Sequence, residues 1–324
     1  MKVFEHVPLS DIVFYKIGGK ARFVIHIEEQ QDVPLAFDFL KKNNINQIRI
    51  IGLGSNILQP DSDFAGAILL LRGLGRDITI NESASEITIF AGETMDDLIQ
   101  YSFQHHLGGL EWAGGLPSTV GGAIRGNAGA FGTEIKDSAV SVQALDMNDP
   151  QLSIRTYTHS QSEFSYRTSF FKAHPELFII SGTFKLTPVS EEELQKAKKV
   201  YENNIEYRNT HHPVEYPSCG SVFKNITDNV NVEKILTVWS DVRELSEKKW
   251  HNKVSMGYII NRLGFSGKEV GGAQVSTKHT NYIINKEHAT SQDVRTLIAQ
   301  IQQKFSETFG FVPEPEVMLI DENS

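Results

Sequence analysis

The chain has 324 residues, enough for two or three lobes around a substantial core, and its 40% hydrophobic and 22% charged residues are those of an ordinary globular protein. A formal net charge of -9 argues against general nucleic-acid binding, which wants a basic face. No apolar run reaches the length of a membrane span, residues 1–10 lack the basic start and apolar core of a leader, and the one cysteine, Cys219, can form neither an internal disulfide nor a cysteine-based metal site; a cytoplasmic protein with no metal centre is expected.

Residues 15–22 (YKIGGKAR) set the pair Gly18-Gly19 ahead of an alternating run at 23–27, which predicts a turn feeding a strand. Residues 33–42 predict a short helix with Phe37 and Leu40 inward. The strand predicted at 47–51 runs straight into Gly52-Leu53-Gly54-Ser55-Asn56, and a glycine pair directly after a strand can bring backbone N–H groups up to a pyrophosphate. The dinucleotide fingerprint wants a third glycine where Ile57 stands and a helix directly afterwards, whereas residues 60–63 read as loop. The Rossmann fold is therefore excluded, and the glycine pair by itself fits a hairpin turn equally well.

Further strands are predicted at 67–71, 78–80 and 86–90, and Thr94-x-x-Asp97 caps a helix carrying Leu98 and Tyr101. Residues 114–132 (GGLPSTVGGAIRGNAGAFG) then place seven glycines among nineteen residues. Glycine at this density implies positions that need positive φ or the closest approach of backbone to another group. Successive N–H groups can converge there on an anion, with Ser118 and Asn127 adding side-chain hydrogen bonds. The competing reading is a set of surface turns, which usually carry more charge and fewer small apolar residues than Ala123, Ala128 and Ala130 provide.

Runs at 139–146, 154–158 and 177–186 alternate like strands of a second sheet, and Ser190-x-x-Glu193 caps a helix over 191–207 that marks a boundary between lobes. A polar, proline-containing link at 211–217 follows, then a second glycine cluster at 264–273 and a strand at 281–284. The helix predicted at 291–309 lines up Val294, Leu297, Ile298, Ile301 and Phe305, with Gly310 as its stop.

Three groups set a polar residue among apolar neighbours. Tyr166-Arg167-Thr168-Ser169 leads into Phe170-Phe171, where Arg167 reads equally well as a surface charge with its stem over a core edge. Ser218-Cys219-Gly220-Ser221 precedes Val222-Phe223-Lys224-Asn225, its small residues leaving Ser221 open to a ligand or simply forming a turn. Glu314-Pro315-Glu316 runs into an apolar strand at 317–320, a position where glutamate is most often a solvated edge.

Taken together in order, Tyr-x-Ile-Gly-Gly, Gly-x-Gly-Ser-Asn, the Gly-Gly-x-Pro loop with Asn127-Ala128-Gly129, Tyr-Arg-x-Ser-x-Phe-Lys, Gly-Ser-x-Phe-Lys-Asn and Glu-Pro-Glu-Val resemble the UDP-N-acetylenolpyruvoylglucosamine reductase family across nearly the whole chain. The resemblance is to the subtype lacking the extra tyrosine-bearing loop, because residues 213–220 lead directly into the serine motif. It implies an α+β protein: an FAD-binding domain of the vanillyl-alcohol oxidase (PCMH) type over residues 1–207, in subdomains of about 1–72 and 73–207, then a C-terminal α+β substrate-binding domain over 208–324 whose last strand returns to the active site.

On that resemblance non-covalent FAD is held by Gly18, Gly19, Gly52, Gly54, Ser55, Asn56, Gly115, Ser118, Thr119, Gly121, Gly122, Asn127, Ala128 and Gly129. NADPH reduces the flavin, and the enolpyruvyl sugar nucleotide then takes a hydride at C3 in peptidoglycan precursor synthesis. Arg167 and Glu316 match the groups that stabilise the enolate-like charge, and Ser221 the proton donor to C2. Tyr166, Lys224, Asn225 and His279 match substrate-binding positions. A monomer acting without membrane or nucleic acid is implied. Three positions depart from the family pattern: Ser118 for glycine, Phe131 for tyrosine and Ile226 for proline. Residues 226–256 also form an insertion to which the sequence assigns no function; a lid over the sugar nucleotide is one hypothesis for it.

Three other readings compete. A binding module that has kept the fold without turnover is disfavoured by Arg167, Ser221 and Glu316 together. A flavin oxidase is disfavoured by the lack of a clear Cys or His for a covalent flavin link. Cys219 as a nucleophile lacks an obvious His and Asp set.

Overall fold

A computed structural model describes residues 1–321. Its compact units interleave along the chain: Met1–Val7, Ala21–Leu53 and Phe64–Thr210 form the first, and Pro8–Lys20, Gly54–Asp63 and the chain from His211 onward form the second. The sequence reading divides the chain once, after residue 207. Long-range contacts explain the interleaving. Buried Tyr15 donates its hydroxyl to the Ile283 carbonyl at 2.7 Å and accepts at its own carbonyl from Asn285 Nδ2 at 3.1 Å, which ties residues 8–20 to the second unit. Asp61 ties residues 54–63 to the same unit, its carboxylate taking the N–H groups of Ser291 and Gln292 at 2.8 and 3.2 Å. An anion at this end also complements the dipole of the helix Ser291–Phe309.

The first unit has two sheets. In one, Lys20–Ile27, Phe64–Leu71 and Ile48–Ile51 run parallel, with Lys2–Pro8 on the outer side of Lys20–Ile27. The helix Asp32–Lys42 makes the crossover from Lys20–Ile27 to Ile48–Ile51, the two strands that flank Phe64–Leu71, and buries Val33, Ala36, Phe37 and Leu40, an apolar face at helical spacing. The other sheet is antiparallel in the order Ile154–Thr158, Ala139–Asp146, Leu177–Lys185, Glu86–Phe90, Ile78–Asn81. Both sheets share one core, where Phe37 and Phe178 meet edge to face at 5.8 Å. Thr94 and Asp97 form the predicted capping box of the helix Met95–Gln104.

The long helix Glu191–His211 opens with Ser190 and Glu193 bonded reciprocally, as the sequence predicts. It backs the glycine-rich loop: Asn204 Nδ2 donates to Glu111 O at 3.0 Å, and Arg208 Nε to Gly114 O at 2.9 Å.

The second unit is smaller in sheet and richer in helix. Glu269–Val270, Ala273–Val275 and Ile283–Asn285 make an antiparallel sheet, and Ile57–Leu58 pairs in parallel with Met318–Leu319. The strand expected at 317–320 is thus shorter, and that expected at 281–284 begins two residues later because Asn281 hydrogen-bonds elsewhere. The helix Ser291–Phe309 buries its predicted stripe and stops at Gly310, whose φ of 76° only glycine adopts without strain. Among the described residues no helix is long and apolar enough to cross a membrane, and no group of three or more His, Cys, Asp or Glu is placed to hold a metal.

Candidate functional site

In the first unit the glycine-rich loop is organised by a short helix, Val120–Gly126, that the sequence did not reveal. Thr119 caps it, its Oγ1 accepting from Gly122 N at 3.3 Å. Val120 N donates to Glu93 O at 2.8 Å and Gly121 N to Ala91 O at 2.9 Å. The first N–H groups of the helix are therefore used within the protein, and the expectation that they converge on an anion is corrected at this point. Glycine is needed at 121 for packing: a Cβ there would lie 2.8 Å from Ala91 Cβ. Gly115 has a φ of 71° and turns against Arg208. Gly122 is exposed, and a Cβ on it would crowd Ser118 Oγ at 3.1 Å and Thr119 Oγ1 at 3.3 Å, whereas a Cβ on Gly126 would meet nothing within 4 Å.

Asn127 ends the helix in the left-handed region, with a φ of 42°. Its fully buried amide donates to Glu134 Oε2 at 3.0 Å and to Ser165 O at 2.9 Å, and accepts from Lys136 N at 3.0 Å. Ser118 Oγ turns back to Thr119 O at 2.8 Å. Neither side chain is left over for a ligand; each shapes the backbone around it. Ala128 N closes on Ala123 O at 2.9 Å. Gly129 offers its carbonyl to Arg167 Nη2 at 2.8 Å, which places the guanidinium of Arg167 against the loop. Arg167 has a φ of 58° and lies 5.2 Å from the ring of its neighbour Tyr166, so a non-glycine residue holds an uncommon conformation in this segment.

Three residues that matter here escaped the sequence reading. Arg72 donates to the carbonyl of Gly52 and so fixes the turn after the strand Ile48–Ile51. Glu93, fully buried, takes the N–H groups of Gly75, Arg76 and Asp77 at 2.6, 3.2 and 3.2 Å while its carbonyl holds Val120. Arg125 lies one turn on from Gly122, at the i+3 position, and directly precedes Gly126. Its guanidinium makes no hydrogen bond or ion pair among the described residues, and burial lowers its pKa below the ordinary guanidinium value. A cation in such surroundings favours an anion beside it.

In the second unit, Gly18 has a φ of 138°, and a Cβ on it would fall 2.9 Å from both Gln59 and Leu9; a Cβ on Gly19 would fall 2.4 Å from Ser62 O. These glycines are required by contact with residues 59–62. Gly54 has a φ of 68° and gives its carbonyl to Phe14 N at 3.2 Å. The N–H groups of Gly54, Ser55 and Asn56 have no hydrogen-bond partner among the described residues. Three consecutive free donors after a strand and a turn are the part of the chain best fitted to phosphate oxygens.

The segment around Ser221 is held on both sides. Phe223 bridges Pro315, Glu316 N donates to Val222 O at 2.7 Å, and Lys224 N donates to Glu314 O at 3.0 Å. This pairing sets Glu316 opposite Val222, one residue from Ser221. The Ser221 hydroxyl is half-buried and makes no hydrogen bond among the described residues. Lys224 pairs with Glu314. Asn225 Oδ1 accepts from Met256 N at 3.0 Å, which turns its amide nitrogen the other way. His279 Nδ1 accepts from Asn281 N at 3.3 Å, so the neutral imidazole carries its proton on Nε2; burial holds its pKa below the usual histidine value.

Cys219, beside this segment, is buried, and burial pushes its thiol well above the ordinary range, which removes it as a nucleophile. The insertion packs on the core of its own unit. Its helix Asn229–Val238 buries Val232, Ile235 and Leu236 in the core of the unit, and Trp239 packs on Phe309 at 4.8 Å.

Residues 21–153 match the model of an FAD binding domain, and residues 212–320 that of the UDP-N-acetylenolpyruvoylglucosamine reductase C-terminal domain. The UDP-N-acetylenolpyruvoylglucosamine reductase of Lactobacillus johnsonii is 33% identical over 316 residues, which are 98% of this chain and 94% of that protein. This chain belongs to the UDP-N-acetylenolpyruvoylglucosamine reductase family. The Synechococcus reductase is similar to it at 32% identity over 314 residues, 97% of this chain and 91% of that protein. The crystal structure of UDP-N-acetylenolpyruvylglucosamine reductase from Thermus caldophilus superposes with a TM-score of 0.73 at 25% identity, covering 99% of this chain and all of that one.

Within the reductase family pattern, the departures have physical explanations. Ser118 has no positive φ, so glycine is not required there. Phe131 has a φ of 53° and packs edge-on against Tyr207 at 5.5 Å, with the Arg208 guanidinium 5.6 Å from its ring; none of these contacts uses a hydroxyl on Phe131. Ile226 exchanges backbone hydrogen bonds with Val254, at 3.1 and 2.9 Å. Proline has no N–H to give, so the isoleucine closes the base of the inserted helices.

Proposed function

We propose that this chain reduces UDP-N-acetylglucosamine enolpyruvate to UDP-N-acetylmuramate with NADPH, by way of non-covalently held FAD, in the synthesis of peptidoglycan precursors. The observation that carries the reading is the near full-length relationship to reductases of this name, joined to the setting of Ser221 and Glu316 on paired segments.

The residues present fit the flavin. In the second unit, free N–H groups at Gly54, Ser55 and Asn56 suit phosphate oxygens; in the first, the open space at Gly126 admits a flat or anionic group. Arg125, one turn on from Gly122, supplies a cation. Gly18, Gly19, Gly52, Gly115, Thr119, Gly121, Asn127, Ala128 and Gly129 serve the same end by shaping these turns. Bound there, FAD would supply the two-electron hydride chemistry that links NADPH to C3 of the enolpyruvyl group.

Addition of hydride at C3 leaves negative charge on C2 and the adjoining carboxylate. Arg167 offers a guanidinium to that charge, and Glu316 shares in stabilising the enolate-like species as the neutral acid, donating a hydrogen bond. Ser221 delivers its proton to C2 and regains one from solvent, so the C=C bond receives one hydride and one proton. Tyr166, Lys224, Asn225 and His279 hold the sugar nucleotide, His279 through a fixed Nε2–H donor. The FAD-binding part is assigned to residues 1–207 and the substrate-binding part to 208–324, of which 322–324 lie outside the described residues. The protein is taken as a cytoplasmic monomer that acts without membrane or nucleic acid.

Ser221→Ala tests the reading. Flavin reduction by NADPH should survive within about twofold, while reoxidation by the enolpyruvyl substrate falls by a factor on the order of 10² to 10⁴, the usual worth of a positioned acid. Reoxidation at the wild-type rate would remove Ser221 from the mechanism.

A further inference from the structure

The backbone that presents Ser221 is clamped by an amide that stands in for a β-strand. Asn281 lies in the second unit and is 3% exposed. Its main-chain carbonyl accepts from Val222 N at 2.7 Å. Its side chain then makes both halves of a peptide-like pair with Phe223: Oδ1 accepts from Phe223 N at 3.1 Å, and Nδ2 donates to Phe223 O at 2.9 Å. Phe223 is itself 1% exposed, so water cannot replace these partners. Asparagine is the residue that carries a donor and an acceptor at this reach. Aspartate cannot donate, and an apolar isostere would leave a buried N–H and a buried C=O unmatched.

The clamp acts where the chain is otherwise free to turn. Gly220, directly before Ser221, has a φ of 77° with open space about it. Cys219 is buried on the far side of that glycine, and the opposite edge of the segment is paired with residues 314–317. The direction of the Ser221 side chain is therefore set by what holds Val222 and Phe223, namely the 314–317 segment on one edge and Asn281 on the other.

We propose that Asn281 is a positioning residue for Ser221: its amide holds the hydroxyl in line for proton delivery to C2 and has no part in the NADPH half-reaction. This rests on the reading of Ser221 as proton donor. A displacement near 1 Å at a reacting group is enough to lower a rate by about a hundredfold.

The test is stopped-flow kinetics of both half-reactions on FAD-loaded Asn281→Asp, which keeps the size and the acceptor but loses the donor. Flavin reduction by NADPH should stay within about twofold of wild type. Reoxidation by the enolpyruvyl substrate should fall by about a hundredfold, with a larger solvent deuterium isotope effect as proton delivery limits the rate. Should this variant fail to fold, Asn281→Ser, whose shorter side chain cannot span both Phe223 atoms, gives the same comparison. Equal slowing of both half-reactions, or no slowing of either, would overturn the proposal. Ser221→Ala in the same assay separates the two ideas: if it reoxidises normally, the proton-donor reading has failed, and if it does not while Asn281→Asp does, only the positioning role is lost.

Discussion

Gly52 and Thr119 touch. A Cβ built on Gly52 would lie 2.3 Å from Thr119 Oγ1, the same oxygen that accepts the Gly122 N–H at 3.3 Å and caps the short helix of the glycine-rich loop. The two glycine-bearing stretches picked out in the sequence are thus mechanically joined inside the first unit, and the glycine at 52 is there to let the cap of the other stretch stand.

Gly52→Ala should therefore damage a helix it does not belong to. Loss of the cap is worth about 1 kcal/mol and overpacking about 1–3 kcal/mol. Thermal unfolding of Gly52→Ala, Thr119→Ala and the double variant should show strong non-additivity, the double variant being less unstable than the two single losses combined. Simple additivity would mean that the contact is relieved elsewhere.

Arg125 gives a charge-specific prediction. Arg125→Gln should weaken FAD binding by about tenfold to a hundredfold, the range expected for a lost hydrogen bond to a charged group, while leaving the affinity for riboflavin unchanged. Fluorescence titration of apoprotein with each flavin measures both. Equal losses for the two flavins would show that Arg125 supports the fold and does not meet the pyrophosphate.

His279 makes stability depend on pH. Its pKa is lowered in the folded protein, chiefly because burial disfavours the charged ring. Above the ordinary histidine value both folded and unfolded forms are neutral and nothing is lost. As pH falls below that value the unfolded chain binds a proton that the folded chain resists, so stability declines until the folded-state pKa is passed. Melting temperatures from pH 8 to 5 should fall more steeply for wild type than for His279→Gln. Parallel curves would contradict the assignment.

Local signals carried much of the fold. Thr94 with Asp97, Ser190 with Glu193, and the stripe ending at Gly310 are short-range patterns with a direct physical meaning, and each appears where the residues place it. The helix Val120–Gly126 did not show because three of its seven residues are glycine, the worst helix former after proline; packing against Ala91 and Glu93 overrides that propensity. The interleaving of 8–20 and 54–63 with the second unit rests on long-range contacts, among them the bonds of Tyr15 and Asp61 and the pairing of Ile57–Leu58 with Met318–Leu319, which no window of sequence contains. Asn281 was invisible for a related reason: its partner lies 58 positions away, and an asparagine at the end of a polar stretch gives no sign of pairing with a backbone. At the candidate site the ordered motifs supplied Ser221, Glu316 and Arg167, but Arg72, Glu93 and Arg125 acquire meaning only from what surrounds them.

The central claim is a flavin that passes electrons from NADPH to an enolpyruvyl sugar nucleotide. Anaerobic absorbance of the purified protein tests it most directly. A yellow protein that bleaches on adding NADPH and regains its colour on adding UDP-N-acetylglucosamine enolpyruvate, with one UDP-N-acetylmuramate formed for each NADPH oxidised, is the predicted result. A protein that takes up no FAD, or that bleaches and stays colourless in the presence of that substrate, would contradict it.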